Sequence, residues 1–262
     1  GMVEKYMNDT LDYENSYVIG DRMTDMQLAV NMGVKGILLG GEKPEGGVPE
    51  GVLFCGTWER ALQVIKNGAR RAEIHRVTGE TDVLVSLDLN GPARGDISTG
   101  IGFFDHMLDG FARHGFFDLE CKVKGDLQVD GHHTVEDTGI VFGEAIKKAV
   151  GDKKGINRYG YFILPMDEVL ALCAVDLSGR PYLNFECEFT VPKVGELDTE
   201  LVKEFFYAVS YSAGMNLHIK MLSSGNNHHM IEAIFKAFAK ALDQAVSYNP
   251  KVTGILSTKG SL

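Results

Sequence analysis

Hydrophobic and polar positions divide the chain into two unequal parts. Near the N-terminus the apolar run "SYVIGD" reads as a short strand ending in Gly-Asp. "TDMQLAVNMG" follows as a helix capped by Thr24 and stopped by Gly33, and "KGILLG" as a second strand. Residues 1–56 are therefore expected to hold a βαβ unit ending in the turn-rich "GEKPEGGVPEG". "TWERALQVIKNG", with Thr57 as its N-cap, predicts a connecting helix and linker over 57–71.

From residue 72 onward the texture changes and repeats itself. "TDVLVSLDLNG" alternates Val83, Val85, Leu87 and Leu89 on one face, the mark of a half-buried strand. A helix over about 101–114, the strand "FDLECKV" and a helix opening at "GHHTVEDTG" complete the first half. The second half has "EVLALCAVDL" and "YLNFECEF" as strands, then the helix "DTELVKEFFYAVSYSAG". The strand "MNLHIKM" and the helix "NNHHMIEAIFKAFAKALDQAV" close it. Pseudo-repeats over about 72–160 and 161–262 predict an α+β fold of duplicated β-sheet/helix half-domains behind a short βαβ unit.

The duplication carries chemistry. His132 and His133 precede Glu136, and His228 and His229 precede Glu232, which uses four of the eight histidines. On a helix, residues four apart share a face while adjacent ones diverge by about 100°. His132 and Glu136 therefore approach one ion while His133 turns toward another, and the second copy repeats this. Imidazole and carboxylate donors suit manganese, iron or zinc. The alternative, that each pair caps a helix start and faces solvent, weakens once the pattern recurs in matching context.

Composition narrows the classes. A net charge of −10 opposes a nucleic-acid or membrane-surface partner, since both are polyanions. No apolar run approaches a membrane span, and "GMVEKYMNDT" lacks the stretch of a secretory leader. Cys55, Cys121, Cys173 and Cys187 form no CxxC pair. A cytoplasmic enzyme is the expectation.

Two resemblances follow. "GDRMTD" resembles the fourth motif of haloacid-dehalogenase-type phosphatases, in which two aspartates, here Asp21 and Asp25, help hold magnesium. An N-cap and a first-turn acid would also explain them. "RVTGETDVLVSLDLNG", "STGIGFFDHML", "GDLQVDGHHTVEDTG", "KGINRYG", "DLSGRPYL", "GNNHHMIEAIFKAFAKAL" and "STKG" together resemble the imidazoleglycerol-phosphate dehydratase family over about 72–262. The segment before them resembles the C-terminal end of a histidinol-phosphatase domain. The chain is thus expected to be a truncated bifunctional histidine-biosynthesis protein, inactive as a phosphatase for want of a DxD nucleophile before residue 20.

The dehydratase resemblance implies half-domains like the second domain of a small-subunit ribosomal protein. It also implies conversion of imidazole glycerol phosphate to imidazole acetol phosphate through a metal-stabilised imidazolate, with two manganese ions per subunit. It implies a trimer-based homo-oligomer of 24 subunits, with sites completed across subunit boundaries. Matched motif by motif, the metal ligands are His106, His132, His133, Glu136, His228, His229 and Glu232. Glu80, in "TGET", matches a substrate-contacting acid–base residue, and Glu136 and Glu232 take part in catalysis. His106 also borders the substrate. Arg158, Arg180, Ser257 and Lys259 match the phosphate grip, with Lys236 as a further contact. A binding protein that had lost catalysis would keep the His/Glu clusters and break this grip, whereas its basic residues are all present.

One position departs from the family. Aligning the halves sets Glu204 opposite His106, where a histidine ligand is expected. Glu204 is a carboxylate ligand, or the site is one ligand short, or His218 substitutes from the neighbouring strand. The helical register favours Glu204, which would tilt the preference toward manganese. His218, alternating with Leu217 and Ile219, reads as a hydrogen-bonded core residue.

Overall fold

The structure is a computed structural model that describes residues 11–260 apart from 14, 41 and 69. The opening ten residues, on which the leader expectation rests, lie outside the described residues. The chain divides into two compact units, Gly1–Ala69 and Arg70–Leu262.

In the first unit, β1 (Tyr17–Gly20), α1 (Met23–Met32), β2 (Lys35–Leu39) and β3 (Val52–Gly56) form a parallel sheet in the order β1-β2-β3. β3 was not foreseen from the sequence. Period-2 alternation sends Leu38 to one face of β2, with Met26 and Val52, and Ile37 to the other. Ile37 packs with Cys55, Ala61 and Val64. Ala61 and Val64 belong to α2 (Trp58–Asn67), so the helix expected to be a connector is part of this unit's core. Thr57 caps α2 as expected, its side chain accepting the Arg60 N–H. For α1 the expectation is corrected: the N-cap is Arg22, not Thr24, and Asp25 accepts the Arg22 backbone N–H at 3.3 Å. The helix begins two residues early because that Asp25 carboxylate satisfies the free donor.

The second unit opens with β4 (Arg71–Val77), β5 (Thr81–Asp88), β6 (Gly95–Ser98), α3 (Gly102–Gly115), β7 (Asp118–Gly125) and α4 (His132–Val150). It continues with β8 (Tyr159–Met166), β9 (Val169–Asp176), β10 (Tyr182–Glu186), β11 (Lys193–Val194), β12 (Leu197–Asp198), α5 (Glu200–Ala213), β13 (Asn216–Ser223) and α6 (Asn227–Val246). One sheet runs β4-β5-β7-β6 and the other β8-β9-β13-β10, so the strand orders superpose element by element. Even the pairing sense repeats: β6–β7 and β10–β13 are parallel, and the remaining pairs are antiparallel. The antiparallel ribbon β11–β12 is an insertion in the second half alone. β4, β6 and β8 carry no strong alternation and were not foreseen. β8 is an edge strand with Tyr159, Tyr161, Phe162 and Ile163 all exposed.

The four helices interleave. α4 packs on α5 and α3 packs on α6, so each half lends its first helix to the second helix of the other. A layer of phenylalanines fills the junction. Phe205 meets Phe104 at 5.2 Å and stacks on Phe235 at 5.4 Å, while Phe111 stacks on Phe238 at 5.5 Å. These rings are fully buried, and aromatic pairs of this kind add about 0.5–1.5 kcal/mol each beyond burial.

Glycine lets the helices approach. A Cβ at Gly143 would stand 2.7 Å from the Val209 carbonyl oxygen and 3.0 Å from the Ala213 nitrogen, both backbone atoms that cannot swing aside. At Gly110 on α3 a Cβ would meet nothing within 4 Å. Alanine gains about 1 kcal/mol over glycine in a helix, so the two sites should separate propensity from packing. Gly143→Ala is expected to lower stability by about 1–3 kcal/mol, and Gly110→Ala to raise it by up to about 1 kcal/mol. Urea unfolding midpoints of the two variants check this; equal shifts would remove the close-packing explanation.

Candidate metal centre

Both His-His pairs open long helices, but they do not cap them. Asp130 Oδ1 accepts the His132 backbone N–H at 2.8 Å, and Asn226 Oδ1 accepts that of His228 at 2.9 Å. One first-turn donor of each helix is thereby satisfied by a neighbouring side chain, and the imidazoles are left for other work. One turn on, Glu136 Oε2 lies 3.8 Å from His132 Nε2, and Glu232 Oε2 lies 3.2 Å from His228 Nε2.

His106 reaches the second pair from α3, its Nε2 3.9 Å from the same Glu232 oxygen. Its helix entry is held by Asp105, which accepts the Thr99 N–H at 2.8 Å and the Thr99 hydroxyl at 2.6 Å. One donor atom each from His106, His228 and Glu232 lies within 4.8 Å of the others, close enough to share an ion. This cluster spans the repeat, since α3 belongs to the first half and α6 to the second. Burial opposes charge on Glu232, yet Lys236 at 2.7 Å, with His106 and His228, outweighs it and holds the carboxyl below its ordinary range. Lys236 is thus committed to Glu232 at the cluster's edge.

The second histidine of each pair turns aside. His133 Nδ1 lies 3.0 Å from Asp126 Oδ2, and its Nε2 lies 3.7 Å from Glu80 Oε1. His229 Nδ1 lies 3.1 Å from Glu168 Oε2, and its Nε2 lies 3.8 Å from Asp167 Oδ2. Asp167, Glu168 and His229 form the other close group of donors among the described residues. Backbone N–H donation from Asn226, at 2.6 Å, together with His229, brings the Glu168 carboxyl down to about 2. Sequence reasoning missed Asp126, Asp167 and Glu168. Comparing the hairpin turns would have found one of them: Thr78–Thr81 and Met166–Val169 close two-residue turns, which places Glu168 at the position of Glu80.

Glu204 has the register of His106. α3 and α5 start 98 positions apart, at Gly102 and Glu200, and both end at left-handed caps, Phe116 and Gly214. Glu204 is half-buried on the helix that packs against α4, but it is not in the close donor groups. The expectation for His218 is corrected. Its side chain is exposed beside Tyr182, ring centres 5.8 Å apart, because His218 lies on the face of β13 turned away from the helices.

The residues expected to grip phosphate are dispersed within this unit. Arg158 and Ser257 line a cavity of about 640 Å³ with Tyr159 and the loop 251–258. The Arg158 guanidinium is buried there, donating to Asp176 at 2.7 and 3.1 Å and to the Leu256 carbonyl at 2.7 Å. It therefore anchors the loop that presents Ser257. The Ser257 hydroxyl accepts the Lys259 backbone N–H at 3.1 Å, and the side chains of Lys259 and Arg180 are exposed.

In the first unit, Asp21 and Asp25 follow the carboxyl end of β1, where open parallel sheets place ligand-binding loops. Asp21 is exposed, and Asp25 is the residue that satisfies the Arg22 N–H.

Nitrogen and oxygen donors without a thiolate fit a hard or borderline divalent ion, since Cys121 and Cys173 are buried in the core. The fold and site define a duplicated α+β protein whose imidazole and carboxylate donors gather where helices of opposite halves meet. The family model for imidazoleglycerol-phosphate dehydratase matches residues 99–242, and a HAD-hydrolase-like family model matches residues 1–46. The imidazoleglycerol-phosphate dehydratase of Lachnoclostridium phytofermentans is 64% identical over 193 residues, covering 74% of this chain and 98% of that one. The histidine biosynthesis bifunctional protein HisB of Spirosoma linguale is 46% identical along the whole of this chain and 72% of its own. A crystal structure of the Staphylococcus aureus dehydratase superposes with a TM-score of 0.62 at 42% identity, covering 68% of this chain and 99% of that one. The chain belongs to the imidazoleglycerol-phosphate dehydratase family.

His114, two turns beyond His106 on α3, shows how the site's charges are felt nearby. Burial first, then Lys236 and Lys240, push its imidazole below the ordinary 6.5. Folded His114 thus binds a proton less readily than unfolded His114, so this residue's contribution is whole above pH 6.5 and is lost as pH falls below it. His114→Gln is expected to flatten that limb of the stability–pH curve. Denaturation at pH 7.5 and pH 5.5 tests it, and an unchanged slope in the variant would contradict it.

Proposed function

We infer that the chain removes water from imidazole glycerol phosphate to give imidazole acetol phosphate in histidine biosynthesis, with two manganese ions per subunit. What carries the metal reading is the His106–His228–Glu232 cluster, assembled across the repeat in a chain of the dehydratase family. His106, His228 and Glu232 would hold one ion. His132 and Glu136 would hold the second, with Glu204 from α5 in the position that His106 takes from α3. His133 and His229 present donors to the outer side of each pair. When bound, the ions would supply Lewis acidity that lets the substrate imidazole serve as electron sink, since the carbon losing its proton has no neighbouring carbonyl.

The chain's own residues divide the remaining tasks. Glu80, exposed at its turn and facing His133, would exchange a proton with the substrate. Arg158 holds the loop that offers the Ser257 hydroxyl, and the exposed Arg180 and Lys259 would bring positive charge to the phosphate. The His132–Glu136 set is two donors where the other is three, and β8 exposes Tyr161 at 64% and Ile163 at 47%. Both features fit completion of the sites by further copies in a trimer-based 24-subunit assembly. The first unit carries Asp21 and Asp25, and residues 1–20 hold no DxD pair, so we assign these residues by themselves no phosphatase activity. Phosphate release from histidinol phosphate that Asp21→Asn abolishes would overturn that assignment.

Chelation is expected to abolish dehydratase turnover and manganese to restore it. Metal analysis should then find Glu204→Ala short of about one ion per chain and largely inactive, while His218→Ala keeps both ions and its rate. Full occupancy in Glu204→Ala, or loss only in His218→Ala, would remove Glu204 from the ligand set.

A further inference from the structure

The outer histidines of the two pairs are held from behind by carboxylates that are not repeat counterparts. His133 Nδ1 meets both oxygens of Asp126, at 3.0 and 3.2 Å, and Asp126 comes from the β7–α4 loop. The position 98 further on is Ser224, which carries no carboxylate. His229 Nδ1 instead meets Glu168 Oε2 at 3.1 Å, and Glu168 comes from the β8–β9 turn. Its counterpart in the first half is Glu80, which lies on the opposite, Nε2 side of its histidine at 3.7 Å. The two halves have solved one problem with different residues.

The problem is one of tautomers. An ionised carboxylate only accepts hydrogen bonds, so the ring nitrogen facing it must carry the proton. Nδ1–H on both histidines leaves the Nε2 lone pair free for an ion. Asp126 is largely shielded, its side chain 17% exposed, and so holds a fixed direction. Glu168 is held by its other oxygen, which accepts the Asn226 N–H at 2.6 Å.

We propose that Asp126 and Glu168 are positioning residues that fix the ring orientation and tautomer of His133 and His229, and that transfer of this task to Asp126 in the first half leaves Glu80 free to face the substrate. The inference rests on the metal reading above.

The two amide substitutions should behave oppositely. In Asp126→Asn the amide turns its oxygen to Nδ1 and preserves the tautomer. In Glu168→Gln the oxygen stays with the Asn226 N–H and the NH₂ faces Nδ1, which forces the proton to Nε2 and closes that donor. Manganese titration of the metal-free full-length protein, followed by the electron paramagnetic resonance signal of free Mn²⁺, reads this directly. Glu168→Gln and Asp126→Ala should each weaken binding at one site by about 10–100-fold. Asp126→Asn should stay within a few-fold of the unsubstituted protein, and melting temperatures of the metal-free forms should match. Glu80→Gln should lower kcat while leaving the titration unchanged. Unaltered titrations in both Glu168→Gln and Asp126→Ala would overturn the inference, as would equal losses in the two amide variants. Failure of the unsubstituted protein to bind manganese would instead overturn the metal reading itself.

Discussion

The packing of α3 on α6, through a buried layer of phenylalanines, is the contact on which the rest of the second unit depends. Phe104 and Phe111 on α3 meet Phe205 on α5 and Phe238 on α6, and the ring planes fix both the height and the rotation of each helix. His106 sits between these two phenylalanines in sequence, and its Nε2 lies 3.9 Å from Glu232 on the same α6. Its approach to Glu232 follows from where the rings lock. A close-packed interior transmits such placement because it has few voids in which a helix could slide.

Interleaving also explains why a duplicated chain forms one folding unit. Each half has a four-stranded sheet and two helices, which cover its own sheet incompletely. Exchanging helix partners buries both sets of apolar faces together, in one continuous core that runs from Ala72 to Val246. Small residues at Gly139 and Gly143 make the α4–α5 side of that exchange close enough to work: a Cβ at Gly139 would stand 2.8 Å from the Phe205 carbonyl oxygen. The functional residues then occupy the ends of the helices, where backbone donors must be capped and side chains can converge without breaking the core.

Symmetry is kept where packing requires it and lost where chemistry does. Strand order, pairing sense and the capping of both His-His helices repeat. The residues around the histidines differ: His106 against Glu204, Asp126 against Ser224, and Glu80 facing the opposite side of its histidine from Glu168.

Periodicity alone was enough to read the duplication, the strands with strong alternation, such as β5 and β13, and the long helices α4 and α6. These signals are local, arising from the repeat of side-chain direction along a strand or a helix. The His-His pairs were legible for the same reason, as i and i+4 positions on one helix. Tertiary structure decided what local spacing cannot carry. Edge and weakly patterned strands such as β8 and β6 are set by their neighbours, and the face His218 presents depends on which side the helices cover. The grouping of His106 with His228 and Glu232 joins residues more than 120 positions apart in sequence. The roles of Asp126 and Glu168 depend on loops folding back behind the helices. The His106 grouping exists only once the two halves have exchanged their helices, because these side chains, distant in sequence, are brought together by shared burial and not by any local preference of the backbone.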